Sequence, residues 1–478
     1  MPTCQTYLSL VEMGFQSAMN NIIAFLGLKK INLSTEEGRS SERHRRILLT
    51  TAASLLAKAV MVGTSLVSIP LTLHYLGTER FGLWMTISSV IAMLGFADFG
   101  MGNGLLNSIT EANGKDDTNS IRCYISSAFL ALGVIAVIIV IIFFAVSPFI
   151  QWAKFFNVKS VLAANEAPIA VSVFIGCFAL NIPAGIVQRV QLGLQLGFIA
   201  NLWQTAGSLL GLFSVLTVIH FQMGLPWLVG AMVGVPILVA IVNGVYFFIY
   251  SNPSIRPGFK FINRSAMNRI AKTGILFMVL QLAVSFAFAS DNIIIARTIG
   301  SESVTQFAVH EKIFSIIPII LGMLLMPLWP AYGEAVSRGD SKWIIRTFKN
   351  SFLFSLFFSL VVAVMLVGFA PFIFSIWIGP NMHAQLALLL GFAVWKVCEA
   401  TGNSMAILLN GINFIKIQVG LASLLALVTP LLKIYFIGRI GISGCIWATV
   451  TAYSTIVLIP YILLFPSIIR QFPANGKK

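Results

Sequence analysis

Twelve separate stretches of this chain are apolar and long enough to cross a bilayer, and nothing else in it constrains the fold so tightly. They fall at approximately 47–75, 82–109, 121–147, 167–190, 196–220, 225–250, 272–297, 303–330, 346–376, 384–410, 416–437 and 441–465. A helix needs about 20 apolar residues to span the hydrocarbon core, and more if it tilts. A backbone in that core has to satisfy its own hydrogen bonds, so single spans of this length are helices. The gaps between them are too short for a water-soluble domain. Only 10% of residues are charged and 58% are hydrophobic, against about 25% charged in a soluble domain. The expectation is an all-α polytopic membrane protein.

The net charge is +15, which in a soluble chain would suggest nucleic acid. Its distribution says otherwise. With the N-terminus inside, 22 cations fall in cytoplasmic segments, including the run from Arg39 to Arg46. Only six (Arg80, Lys154, Lys159, Arg297, Lys433 and Arg439) fall on the opposite side, and Lys58, Lys312 and Lys396 lie inside spans. This is the positive-inside pattern. It predicts an even number of spans with both termini cytoplasmic, and it removes nucleic acid as a partner. The cysteines (Cys4, Cys123, Cys177, Cys398 and Cys445) are scattered, without metal-ligand spacing or a disulfide framework.

Residues 1–46 read as a cytoplasmic extension. The partly apolar stretch from Tyr7 to Leu28 is interrupted by Glu12, Gln16, Asn20 and Asn21, which suits an interfacial helix better than a span or a signal peptide. The longest polar interruption, with Pro253 and Pro257, divides the spans six and six. The expected organisation is an N-lobe at 47–250, a basic linker at 251–271, a C-lobe at 272–465 and a cytoplasmic tail at 466–478. The halves echo one another. Leu76-Gly77-Thr78-Glu79 closes span one and Ile299-Gly300-Ser301-Glu302 closes span seven, at an offset of 223 residues, while Gly193 and Gly411 recur at an offset of 218. Similar offsets suggest a duplicated six-helix unit.

Charge inside the spans is the candidate functional chemistry. An ammonium at mid-bilayer depth costs roughly 2.5–3.5 kcal/mol on insertion scales. Lys58 sits near the middle of span one, and Thr51, Ser54, Lys58, Ser65, Ser68 and Thr72 fall on one face at helical spacing. That stripe predicts a wet cavity with an anionic occupant. In span eight, Lys312 shares a face with Ser301, Thr305 and Ser315, with His310 and Glu311 pointing elsewhere. In span ten, Lys396, Glu399, Asn403 and Asn410 form a polar face, although Lys396 and Glu399 at i, i+3 also suit a self-neutralising pair. Asp98 lies in span two within Asp98-Phe99-Gly100-Met101-Gly102-Asn103-Gly104, and Asp291 in span seven with Arg297 near its outer end. Lys58 has no local acidic neighbour, so a neutralising partner for it would have to be Asp98 or Asp291. No Walker A sequence, HExxH motif or nucleophile elbow accompanies these groups. No cofactor is implied, and the chain reads as a carrier rather than an enzyme.

The stretch Ile69-Pro70-Leu71 through Tyr75-Leu76-Gly77-Thr78-Glu79-Arg80-Phe81-Gly82-Leu83-Trp84, followed by Ala97-Asp98-Phe99-Gly100, resembles the Wzx-type flippases. These translocate O-antigen and capsule repeat units and belong to the multidrug/oligosaccharidyl-lipid/polysaccharide exporter superfamily. The resemblance covers nearly residues 47–470. It implies a MATE-like fold, two six-helix lobes around a central cavity lined largely by spans one, two, seven and eight. It also implies a substrate, a polyprenyl-diphosphate-linked oligosaccharide carried to the periplasmic leaflet, with membrane lipid around it and polysaccharide polymerase and chain-length proteins as candidate partners. Lys58 and Lys312, with Lys396 and Arg297, would then meet the diphosphate. Asp98, Asp291 or Glu399 would tune those cations or couple an ion. Two rivals stand beside this reading. One is a cation-coupled multidrug exporter of the same superfamily, against which Lys58 argues, and the other is a non-transporting scaffold in a polysaccharide synthesis complex.

Overall fold

A computed structural model describes residues 36–92, 98–156, 158, 160–299, 301–377 and 385–463. The expectations for residues 1–35 and for the tail lie outside this set, as do Lys159 and Gly300. The described residues are helical throughout, with no strand among them. Among the described residues, ten helices are long and apolar enough to cross a membrane. The remaining two expected spans are also present as helix. Span ten is Leu386–Gly411, and span two is split between the end of Glu36–Ala92 and Met101–Gly114.

The breaks fall where the sequence cannot sustain a regular helix. Glu36–Ala92 joins spans one and two through a kink at Gly77, whose φ of 73° favours glycine. Span two breaks again at Phe99 and Gly100, both at positive φ. Span seven divides at Ser290 into Arg264–Ala289 and Asp291–Thr298. Span eight runs in three pieces, Ser301–Phe314, Ile316–Leu325 and Leu328–Ser337, with Pro318, Pro327 and Pro330 near the joints.

The spans form two lobes, which join at the end that carries Arg43, Arg122, Arg269 and Arg338, hereafter the basic end. Met101–Gly114 of span two is the keystone. A Cβ on Gly104 would run into the Ile270 carbonyl oxygen and lie 3.0 Å from Gly274 N. A Cβ on Gly100 would run into the Gly274 carbonyl in the same way. Only glycine therefore permits this backbone-to-backbone crossing between the lobes. Beside it, the buried Asn107 amide is used in full. Its Oδ1 accepts from Trp329 Nε1 at 2.7 Å, and its Nδ2 donates to the Asn410 carbonyl at 3.0 Å and to Asn413 Oδ1 at 3.3 Å.

Ion pairs surround that crossing. Arg338 donates to both oxygens of Asp116, at 3.0 and 2.9 Å, and to Glu334 of its own helix at 2.8 Å. Gln195 donates to the other Glu334 oxygen at 2.6 Å. Arg43 pairs with Asp340 at 2.6 Å, and Arg269 pairs with Glu111. Burial alone would raise the Glu111 carboxyl, but hydrogen bonds and charge from Lys115 and Arg269 outweigh it and hold the carboxyl below its ordinary value. That pair is accordingly charged at neutral pH and weakens only as pH falls through the depressed value. Replacing Arg338 with Gln is expected to loosen the basic end. A Thr110→Cys reporter, at a site now packed against Gly333, should then react about threefold faster with a water-soluble maleimide, a modest factor because exposed ion pairs are individually weak.

The internal echo has a structural counterpart. A Cβ on Gly193 would meet the Ile109 side chain at 2.9 Å and the Leu106 carbonyl at 3.2 Å. A Cβ on Gly411 would meet Tyr332 Cβ and the Trp329 carbonyl, each at 2.7 Å. Ile109 and Tyr332, and Leu106 and Trp329, are separated by the same offset of 223 residues. Spans four and ten thus use matching glycines to seat spans two and eight.

Candidate functional site

Lys58 stands on Glu36–Ala92 between two anchored levels. At the basic end the Thr50 carbonyl accepts from Asn201 at 3.2 Å, and at the other end the Tyr75 hydroxyl bonds the Met223 carbonyl. The lysine is half-buried, and no hydrogen bond or ion pair holds its ammonium among the described residues. The polar stripe around it is not uniform. Ser65 is exposed and Ser54 half-buried, while Ser68 and Thr72 are buried and bond carbonyls of their own helix. The stripe is accessible only around its middle.

Lys312 is exposed on Ser301–Phe314, and Ser315 caps its carbonyl at 2.6 Å. The side chains of Ser301 and Thr305 lie outside the description. His310 is fully buried, with Nε2 accepting from Gln385 N at 3.2 Å and Nδ1 therefore donating to the Gln306 carbonyl at 2.7 Å. This histidine is a neutral packing group between helices. Glu311 is exposed.

The remaining intramembrane charges sort into pairs. Lys396 donates to Glu399 at 2.7 Å, the neutralising alternative raised by their spacing. Asp291 is held by Lys433, not by Arg297, which is exposed. This corrects the placement of Lys433 on the outer side. Its side chain is 0% exposed, and its ammonium bonds both Asp291 and, at 2.6 Å, the Ala287 carbonyl. The acceptors are where span seven breaks, so a lysine from span eleven fills the gap in the ladder.

Asp98 has a local structural role that its sequence only hinted at. Its carboxylate accepts from Gly100 N at 2.9 Å and Gly102 N at 3.3 Å, which caps the helix restarting at Met101. Arg189 faces it across Gly102, where a Cβ would lie 2.9 Å from Asp98 Oδ2 and 3.1 Å from Arg189 Nε. Both line a cavity of about 240 Å³ with Asn181 and Gln188. The charge count put Arg189 with the cytoplasmic cations, but it is half-buried beside Asp98. Its position inside span four, at 167–190, was the available signal. Asn107, Arg338 and Lys433 were missed because a lone polar residue in a sequence does not disclose its partner. The described residues hold no cluster of His, Cys, Asp or Glu suited to a metal ion.

Two lobes joined at one end, with Lys58 and Lys312 free of ion pairs among the described residues, are the features to set beside known proteins. Residues 48–336 match the family model described as polysaccharide biosynthesis protein. The chain belongs to that family. Its relatives among curated proteins include one of Salmonella typhimurium, strain LT2, provisionally named an O-antigen transporter and 23% identical over 418 residues, 86% of this chain and 94% of the relative. Another, of Yersinia pseudotuberculosis, is provisionally named an O-antigen export protein and is 23% identical over 383 residues, 77% of this chain and 84% of that one. Among solved structures, this polysaccharide biosynthesis family member is similar to an outward-facing multidrug resistance MATE transporter of the MOP superfamily, with TM-score 0.75 and 14% identity over 90% of this chain and 97% of that one. It is also similar to a MOP transporter from Pyrococcus furiosus described as having a reversed-polarity binding pocket, with TM-score 0.73, 14% identity and the same coverage. At such identities the likeness establishes the MATE fold alone. The family is one of polysaccharide biosynthesis, and the ten long apolar helices among the described residues make this member a multi-pass membrane protein.

Proposed function

We propose that this protein moves polyprenyl-diphosphate-linked oligosaccharides from the cytoplasmic to the periplasmic leaflet by alternating access of its two lobes, 47–250 and 272–465. The observation that carries the reading is Lys58, an ammonium at mid-span depth with no acid holding it among the described residues. A diphosphate is an anion that must cross a low-dielectric core, where uncompensated charge is expensive. Lysine is a compact point charge that suits phosphate without demanding one sugar structure. Lys312 is also free of an ion pair among the described residues and supports the same role from the C-lobe, with Arg297 near the outer end. Lys396 reaches a substrate only if it leaves Glu399. Asp98 beside Arg189, and Asp291 beside Lys433, are suited to tuning charge or coupling an ion. By the positive-inside pattern the basic end is cytoplasmic, so this conformation is closed to the cytoplasm.

The decisive test is surface polysaccharide measured at matched protein levels. Lys58→Ala is expected to lower export about tenfold, the scale of one charged hydrogen bond, and Lys58→Arg to restore part of it. Normal export by the alanine variant would remove Lys58 from the mechanism. Unchanged polysaccharide with lost drug resistance in a deletion strain would favour the multidrug reading instead.

A further inference from the structure

A second cavity, of about 710 Å³, opens at the basic end, away from Lys58. Ser40, Arg43 and His44 line it from the first helix, and Lys342, Trp343 and Arg346 from Ser341–Trp377. No carboxylate is among its described lining residues. The neighbouring acids are already engaged. Asp340 is held by Arg43 at 2.6 Å and Arg39 at 4.0 Å, and Glu42 by Arg45 and Arg46 at 2.8 Å each. The Arg43 guanidinium lies 4.6 Å from the centre of the Trp343 ring.

The informative detail is what these two residues leave unused. Arg43 is 2% exposed and Trp343 7%. Arg43 spends Nη2 on Asp340, but its Nε and Nη1 are buried without a hydrogen-bond partner among the described residues, and so is Trp343 Nε1. Buried donors are seldom left unsatisfied in a native fold. Here the two residues that carry them border a cavity that is also lined by Lys342 and Arg346. A tetrahedral anion with several acceptor oxygens meets both the donors and the charge.

We infer that this cavity binds a phosphate group, with Arg43 and Trp343 as fixed donors and Lys342 and Arg346 as the attracting charges. Two sources share that chemistry, the headgroup of an anionic phospholipid and a soluble phosphate ester. The ligand would have a structural consequence, because Arg43 also holds Asp340 across the lobes, and a bound phosphate fixes the arginine in its latching pose. The inference is independent of the substrate proposed above.

Binding of dihexanoyl phosphatidylglycerol and of glycerol 3-phosphate to the purified full-length protein in neutral detergent tests it, by titration calorimetry. Saturable binding of the lipid alone assigns the headgroup, and binding of both assigns phosphate itself. The combined variant Lys342→Gln, Arg346→Gln leaves the Arg43–Asp340 pair in place and should bind about tenfold more weakly with an unchanged melting midpoint. Trp343→Phe keeps a ring under Arg43 but deletes one donor, and should weaken binding several-fold. Binding of neither probe, or equal affinity in wild type and the combined variant, would overturn the assignment.

Discussion

Lys433→Met is expected to be among the most destabilising single substitutions in this protein. The lysine is fully buried and answers two acceptors at once, the Asp291 carboxylate and the Ala287 carbonyl at the break in span seven. Methionine fills similar volume and leaves the carboxylate without its counter-charge. Breaking one side of a buried ion pair typically costs about 3–5 kcal/mol, much of it from the charge left behind. The expected result is a clearly lowered melting midpoint in detergent. Adding Asp291→Asn removes the stranded charge and should recover a large part of the loss. If Lys433→Met melts like the wild type, the pair does not hold spans seven and eleven together.

Gly104→Ala should act on conformation rather than on global stability. Its Cβ would meet backbone atoms of Ile270 and Gly274, and a backbone cannot rotate away as a side chain can. Overpacking of this kind costs about 1–3 kcal/mol, and it falls on the conformation in which the lobes touch. A population shift of about thirtyfold towards an open basic end follows from the middle of that range. The Thr110→Cys reporter should label correspondingly faster, while Gly133→Ala, where a Cβ meets nothing within 4 Å, should leave labelling unchanged. Equal labelling in both variants would show that the glycine crossing does not control closure.

Local features of this chain were legible in its sequence, and features made by distant contacts were not. Span number follows from hydropathy because bilayer thickness sets helix length. The duplicated unit was visible in two short echoes, and Gly193 and Gly411 then proved to seat equivalent helices. The Lys396–Glu399 contact was readable because i, i+3 neighbours share a helix face. Lys433 and Asp291 are 142 residues apart, and a cation eight residues from Gly441 looks like a helix-end anchor until tertiary packing buries it. Arg189 misled for the same reason, being four residues from the end of its helix at Gly193. Asp98 was singled out for its charge in a span, yet the glycines after it were the better guide, since its carboxylate caps the helix they restart.

The joint between the lobes also bears on how fast the protein can work. It is a mosaic of a glycine crossing, one amide and several ion pairs contributed by many helices, with no single dominant bond. Separation then requires most of these to be lost together. Opening events of that kind have a large activation enthalpy, so turnover should slow steeply on cooling, well before the bilayer itself stiffens.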